Sequence, residues 1–183
     1  MNKLIRLLSQ LSFKTLYFNW KYLPWKQAIR LPVLVSSHVR LLKMKGQIVI
    51  EAEVRPGMIQ IGYGGVTIFD EKKSRSIWDV AGTVVFKGRC LIGHGSKVSV
   101  GEGARLIAGE NLIITAETSL ICSTELSFGS NCVLSWDILI MDTDFHTIRN
   151  QADEILNKPR PIRIGDKVWL GCRCTILKGA VIP

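Results

Sequence analysis

The chain has 183 residues, 20.5 kDa, with 47% hydrophobic and 21% charged residues and a formal charge of +9. That size suits one domain with a short appendage, and the ordinary charged fraction excludes intrinsic disorder. Sixteen glycines without a three-residue period exclude collagen, and no window of 18 apolar residues offers a spanning helix.

The opening MNKLIRLLSQLSFK starts basic, but Gln10 and Lys14 interrupt its apolar run and no small-residue cleavage site follows. No signal peptide is expected. Residues 1–50 hold nine Lys/Arg and no Asp or Glu, and the other 15 of the 24 basic residues match the 15 acidic ones. The excess charge therefore belongs to an N-terminal segment, which also carries Phe13, Tyr17, Phe18, Trp20, Tyr22 and Trp25. Leu4, Leu7, Leu8 and Leu11 recur at helical spacing. Two readings stand open. One is an amphipathic patch, spanning residues 1–45, that rests on an anionic membrane surface or an acidic partner. The other is a helix packing its leucines on the body with its lysines in water. Nucleic acid is not an expected partner, because a basic stretch with aromatics is not enough to specify it. Residues 51–76 read as a strand-rich connection.

From Val84 onward, apolar residues come in pairs two apart that advance six at a time. Leu126/Phe128, Cys132/Leu134 and Ile138/Ile140 form one run. Ile162/Ile164, Val168/Leu170, Cys174/Ile176 and Ala180/Ile182 form another. Chance would fill these positions on the order of 10⁻⁵ of the time. Val84/Phe86, Cys90/Ile92 and Ser96/Val98 keep the step, and between Val98 and Leu126 the register slips. Spacing of two puts both side chains of a pair on one face of a strand, and an advance of six means a turn after each strand. Gly93, Gly129, Gly165 and Gly171 directly follow the large member of a pair, where a sharp corner favours glycine's freedom at positive φ. So short a repeat buries its apolar face only against its neighbours, which gives a solenoid; three hexads per coil make a triangular prism of parallel strands. Cys90, Cys132 and Cys174 take the small slot of a pair and read as core filler. The five cysteines are odd in number and lack a disulfide-scaffold or paired zinc spacing, which favours a reduced, cytoplasmic protein, peripheral to the inner membrane surface on the patch reading.

Over residues 77–183 the stretches IGHGSK, FGSNCVLSWDILIMDTDFH and PIRIGDKVWLGCRCTILKGAVIP resemble the hexapeptide-repeat acyltransferases. The second and third stretches are most similar to the galactoside, maltose and polysaccharide O-acetyltransferase branch. The resemblance implies an all-β solenoid, a left-handed parallel β-helix with an N-terminal helical appendage. It further implies a homotrimer that moves acetyl from acetyl-CoA to a hydroxyl of a saccharide or lipid-linked saccharide in polysaccharide biosynthesis. A non-catalytic β-helical scaffold or truncated inactive homologue is the competing expectation. Relatives continue past the equivalent of Val181-Ile182-Pro183 with further coils that the sequence lacks, so coils are expected to be missing.

After Ile138/Ile140 the next pair is Asp144/His146, a carboxylate and an imidazole in two apolar slots. Local rules fail most often at functional sites. A non-repeat stretch, 147–161, follows before Ile162 restores the step. An imidazole titrates near neutrality and suits proton removal. By the resemblance, His146 is the general base, taking the proton from the acceptor hydroxyl and returning it to the CoA thiolate. Asp144 or Asp142 would orient the imidazole or hold acceptor hydroxyls. Trp136 and Ser135 would line the acceptor side. Trp169, between inward Val168 and Leu170, should point outward, to a subunit or to the CoA chain. Gly171 and Cys172 would admit CoA to the backbone, and Arg173 and Lys178 would meet its phosphates. His38, His94 and His146 are far apart in sequence, so a zinc hydratase using three histidines is not favoured and no metal is expected.

Overall fold

The computed structural model describes residues 11–71 and 73–183. Helices α1 (Phe13–Tyr22) and α2 (Trp25–Ala28) precede eighteen short strands in six coils of three. These are β1 (Val33–Val35), β2 (Arg40–Met44) and β3 (Gln47–Ile50); β4 (Ile59–Tyr63), β5 (Ile77–Val80) and β6 (Thr83–Phe86); and β7 (Cys90–His94), β8 (Lys97–Val100) and β9 (Arg105–Ala108). The later coils are β10 (Leu112–Ala116), β11 (Ser119–Cys122) and β12 (Glu125–Phe128); β13 (Val133–Trp136), β14 (Leu139–Met141) and β15 (Ile162–Ile164); and β16 (Trp169–Leu170), β17 (Thr175–Leu177) and β18 (Val181–Ile182). Every third strand pairs in parallel, giving sheet A (β1-β4-β7-β10-β13-β16), sheet B (β2-β5-β8-β11-β14-β17) and sheet C (β3-β6-β9-β12-β15-β18). The protein is a three-sided parallel β-helix built on hexapeptide repeats.

Inward residues stack coil upon coil: Ile92, Ile114, Leu134 and Leu170 on sheet A, and Val98, Leu120, Ile140 and Ile176 on sheet B. The pairs that the sequence left unassigned are Leu106/Ala108, Leu112/Ile114 and Thr118/Leu120, all buried. The slip has one place. From coil 3 onward, steps at the A–B and C–A corners are six, as from Ile92 to Val98 and from Phe128 to Leu134. At the B–C corner Val98 to Ala108 is ten, Leu120 to Phe128 eight and Ile140 to Ile164 twenty-four. Extra chain leaves the prism at that one edge.

The prism begins at Val33, well before residue 77, where the sequence repeat becomes legible. Helix α1 closes its first edge. Asn19 donates to the carbonyl of Val33 at 2.6 Å and accepts from the Val33 amide, and Thr15 accepts from the Val35 amide at 2.9 Å. These bonds occupy strand groups that would otherwise invite another strand. Phe18 packs edge-on against Trp78, whose indole donates to Tyr22 at 3.1 Å. Of the helix expected over Leu4, Leu7, Leu8 and Leu11, the first three leucines lie outside the described residues, and Leu11 precedes the start of α1.

The corner glycines serve a different purpose from the one expected. Gly129 and Gly165 keep ordinary φ, and a Cβ on Gly129 would stand 2.5 Å from the backbone of Gly165 in the next coil. Close stacking, not backbone twist, requires glycine there. Positive φ falls instead on polar corner residues, Asn111, Asn131 and Lys167 at the C–A corner and Glu117, Asp137 and Arg173 at the A–B corner, and on other glycines such as Gly95 and Gly103. Cys90, Cys122 and Cys132 are buried in the core, and desolvation pushes the thiols of Cys90 and Cys122 up to about 12. Both stay protonated at neutral pH and are poor nucleophiles.

Candidate active site

The segment 142–161 leaves the prism between β14 and β15, and His146 stands near its start with its side chain exposed. Strand alternation carries on from Ile140 to Asp142, which is fully buried. Its carboxylate accepts from the amides of Ser123 and Thr124 at 2.6 and 2.7 Å and from the Thr124 hydroxyl at 2.8 Å. Asp142 is thus a corner lock between coils, and it does not offer its oxygens to an acceptor as the sequence suggested. Those bonds end the strand and start the loop.

Phe145 adopts φ 59°, a costly conformation for a bulky residue, and it turns the chain so that the His146 amide donates to the Asp144 carbonyl at 2.7 Å. The side chain of Asp144 makes its hydrogen bonds elsewhere than to the imidazole. It accepts from Lys178 Nζ and from Asn157 Nδ2 at 2.9 Å. Lys178 first and Asn157 second hold the Asp144 carboxyl below the usual carboxylate range. Asp144 therefore fixes the loop rather than orienting the ring by direct contact. Lys178 also donates to the Asn157 carbonyl at 3.0 Å, so its cation is committed here and not free for a phosphate.

Asn157 is the residue that sequence reasoning missed. Its amide nitrogen donates to the His146 carbonyl at 2.7 Å as well as to Asp144, and its oxygen accepts from the Ile148 amide at 2.7 Å. The Leu156 amide donates to the Ile148 carbonyl, and the main-chain amide of Arg160 donates to the Asp142 carbonyl at 3.1 Å. The two ends of the loop are therefore laced together around His146. An asparagine in a polar stretch carries no sequence signal of such a role. Among the described residues the imidazole itself has no hydrogen-bond partner, and it is exposed to solvent.

The other expected residues gather at the opposite edge of sheet B, where sheet A turns the corner. The Arg173 amide donates to the Trp136 carbonyl at 3.1 Å, and the Arg173 guanidinium pairs with Asp137 at 3.4 Å. Ser135 and Trp136 end β13 there, so within one subunit they are separated from His146 by the width of sheet B. Cys172 and Arg173 are exposed, and a Cβ on Gly171 would meet nothing within 4 Å. Trp169 is 73% exposed and continues an outward column of Leu91, Ile113 and Val133 on sheet A. Leu91, Ile113 and Val133 of that column line a groove of about 480 Å³, together with Met58, Gln60 and Asn111. His38, His94 and His146 sit in separate places, and among the described residues no three His, Cys, Asp or Glu side chains gather as a metal-ligand group.

No known family model matches the sequence. A stretch of 55 residues is 40% identical to the polysialic acid O-acetyltransferase of Neisseria meningitidis, covering 30% of this chain and 26% of that protein. The crystal structure of the polySia-specific acetyltransferase NeuO aligns with a TM-score of 0.49 and 19% identity over 82% of this chain and 58% of that one. The chain is a hexapeptide-repeat β-helix protein, similar over about a quarter of the length of that curated relative to an O-acetyltransferase.

Proposed function

We propose that the protein transfers an acetyl group from acetyl-CoA to a hydroxyl of a saccharide, with His146 as general base. The observation that carries this reading is an exposed imidazole on a loop that leaves a rigid prism and is laced at both ends by Asp144, Asn157 and Lys178. Such a loop presents one proton acceptor in a fixed place, as general-base catalysis requires. The acceptor hydroxyl gives its proton to the neutral imidazole while its oxygen attacks the thioester carbonyl. Collapse of the tetrahedral intermediate expels the CoA thiolate, which takes the proton back. Neither Cys90 nor Cys122 is a candidate nucleophile, since both are buried and protonated.

The exposed group at the A–B corner (Trp169, Gly171, Cys172 and Arg173) would take CoA, with the open backbone at Gly171 admitting its chain and Arg173 meeting a phosphate. One subunit holds this corner apart from its own His146, so we infer that a homotrimer brings it to the histidine of a neighbour. The apolar outward column ending in Trp169 supports a subunit contact. Ser135 and Trp136 would then line the acceptor side of the shared site. The 55-residue similarity makes sialic acid polymers the first acceptors to try, with lipid-linked saccharides next.

The test is acetyl transfer from radiolabelled acetyl-CoA to a panel of sialylated and neutral oligosaccharides. Product carrying a base-labile acetyl ester supports the reading. Absence of transfer to every acceptor, together with no CoA binding by calorimetry, would leave a β-helical scaffold instead.

A further inference from the structure

Helix α1 is amphipathic in an inverted sense. Thr15, Phe18, Asn19 and Tyr22, at spacings of three and four, face the prism. Both polar members of that stripe are fully buried and bonded to the edge of β1. Phe13, Leu16, Tyr17 and Trp20, at the same spacing, face solvent. Trp25 and Ile29, in and just after α2, extend the apolar surface, and both are exposed. Two tryptophans about 60% exposed (Trp20 at 58% and Trp25 at 61%), five residues apart on consecutive helices, are unusual for a surface meant for water alone.

The charge carried by α1, α2 and their flanks is basic. Residues 1–50 contain no acidic side chain, and Lys21, Lys26 and Arg30 are exposed, with Lys26 Nζ 5.8 Å from the centre of the Trp25 ring and Glu53 the acidic group that Arg30 meets. A second copy of the same surface would meet it with like charge, which disfavours self-association through this face. Aromatic rings interleaved with lysine and arginine are what the headgroup region of an anionic bilayer accepts. Among the described residues no helix is long and apolar enough to cross a membrane. The register of α1 is fixed by Thr15 and Asn19, so the helix cannot roll its aromatic stripe inward without leaving the β1 edge unpaired.

We propose that the outward face of α1 and α2 docks on an anionic lipid bilayer, so that the protein lies on the membrane with its prism standing off the surface. This inference is independent of the transferase reading. Flotation with vesicles of phosphatidylcholine alone, and with vesicles containing about a third phosphatidylglycerol, tests it. The protein is expected to float with the anionic vesicles only, and to be released by high salt. Trp20→Ala with Trp25→Ala should lower the partition coefficient at least about tenfold. Lys21→Gln with Lys26→Gln should cost about fivefold per charge. Circular dichroism and melting should be unchanged in both variants, because the altered side chains are exposed. Failure to float with anionic vesicles, or equal flotation with neutral ones, overturns the proposal. So does a tryptophan double variant that floats as well as the parent while losing oligomeric mass by light scattering, because the patch would then be a protein interface. The lysine variant keeps the test open should the tryptophan variant misfold.

Discussion

The side-chain amide of Asn157 donates to the main-chain carbonyl of His146 at 2.7 Å, clamping the exposed histidine from the far end of its own loop. The same nitrogen holds Asp144, and the oxygen holds the Ile148 amide, so one side chain fixes the backbone on both sides of the imidazole. Replacing Asn157 with Ala should lower kcat for acetyl transfer by about ten- to a hundredfold while KM for acetyl-CoA changes little, as expected of a positioning residue. The measurement is steady-state kinetics on the variant beside its melting curve. A change in KM with kcat preserved would mean that the loop binds substrate and does not aim the base.

Lys178 and Asp144 supply the ionic half of the same clamp. Because the folded Asp144 carboxyl is held below its ordinary value, its contribution is fully present above the unfolded carboxyl's pKa of about 3.9. It is lost as pH falls through the lower folded value. Loop order should therefore be constant from mildly acidic to alkaline pH and fail only in strong acid. In Lys178→Met the loop should be loose at every pH. Limited proteolysis within 142–161 reads this directly: cleavage is expected to be about tenfold faster in the variant at neutral pH. Equal protection of both proteins would show that the ion pair does not order the loop.

Asp142 and Asp144, two residues apart, should separate stability from activity. Asp142→Ala strips partners from the buried amides of Ser123 and Thr124 and should cost about 2–4 kcal/mol, a fall of roughly 5–15 °C in Tm. Asp144→Ala, at the exposed clamp, should leave Tm within about 2 °C and act on kcat alone. Calorimetric scans of the two variants check this.

Glycine positions differ in the same way. A methyl at Gly129 would press on the backbone of Gly165, and Gly129→Ala should destabilise by about 1–3 kcal/mol. Gly171→Ala meets open space and should leave stability unchanged while raising KM for acetyl-CoA, if CoA approaches that backbone as proposed. Unchanged kinetics in a stable Gly171→Ala protein would move the CoA site elsewhere.

Much of the prism was legible because inward pairs advance by six wherever the corner is tight, and Asp144/His146 stood out as the one polar pair in that sequence. The loop at Ile140 to Ile164 was visible for the same reason. What stayed hidden follows from physics that a single sequence does not display. Coil 1 and the first strand of coil 2 escaped notice because the chain bulges between Leu41 and Lys43 and inserts long connections at 51–58 and 64–76, breaking the step. The B–C corner absorbs four, two and eighteen additional residues in coils 3 to 5, so Leu106/Ala108 through Thr118/Leu120 fell out of phase. Lys178 read as a phosphate ligand because its contact with Asp144 spans 34 residues of sequence. Asn157 and the corner residues at positive φ, Asn131 and Asp137 among them, look in sequence like ordinary polar loop chemistry.

Substitution of His146 addresses the chemical claim most directly. His146→Ala, whose removed ring makes no hydrogen bond among the described residues, should fold and melt like the parent. Its kcat/KM for transfer from acetyl-CoA to the best saccharide acceptor should fall by about 10²–10⁴, with CoA binding by calorimetry retained. A folded His146→Ala protein that transfers acetyl at the parental rate would contradict the account.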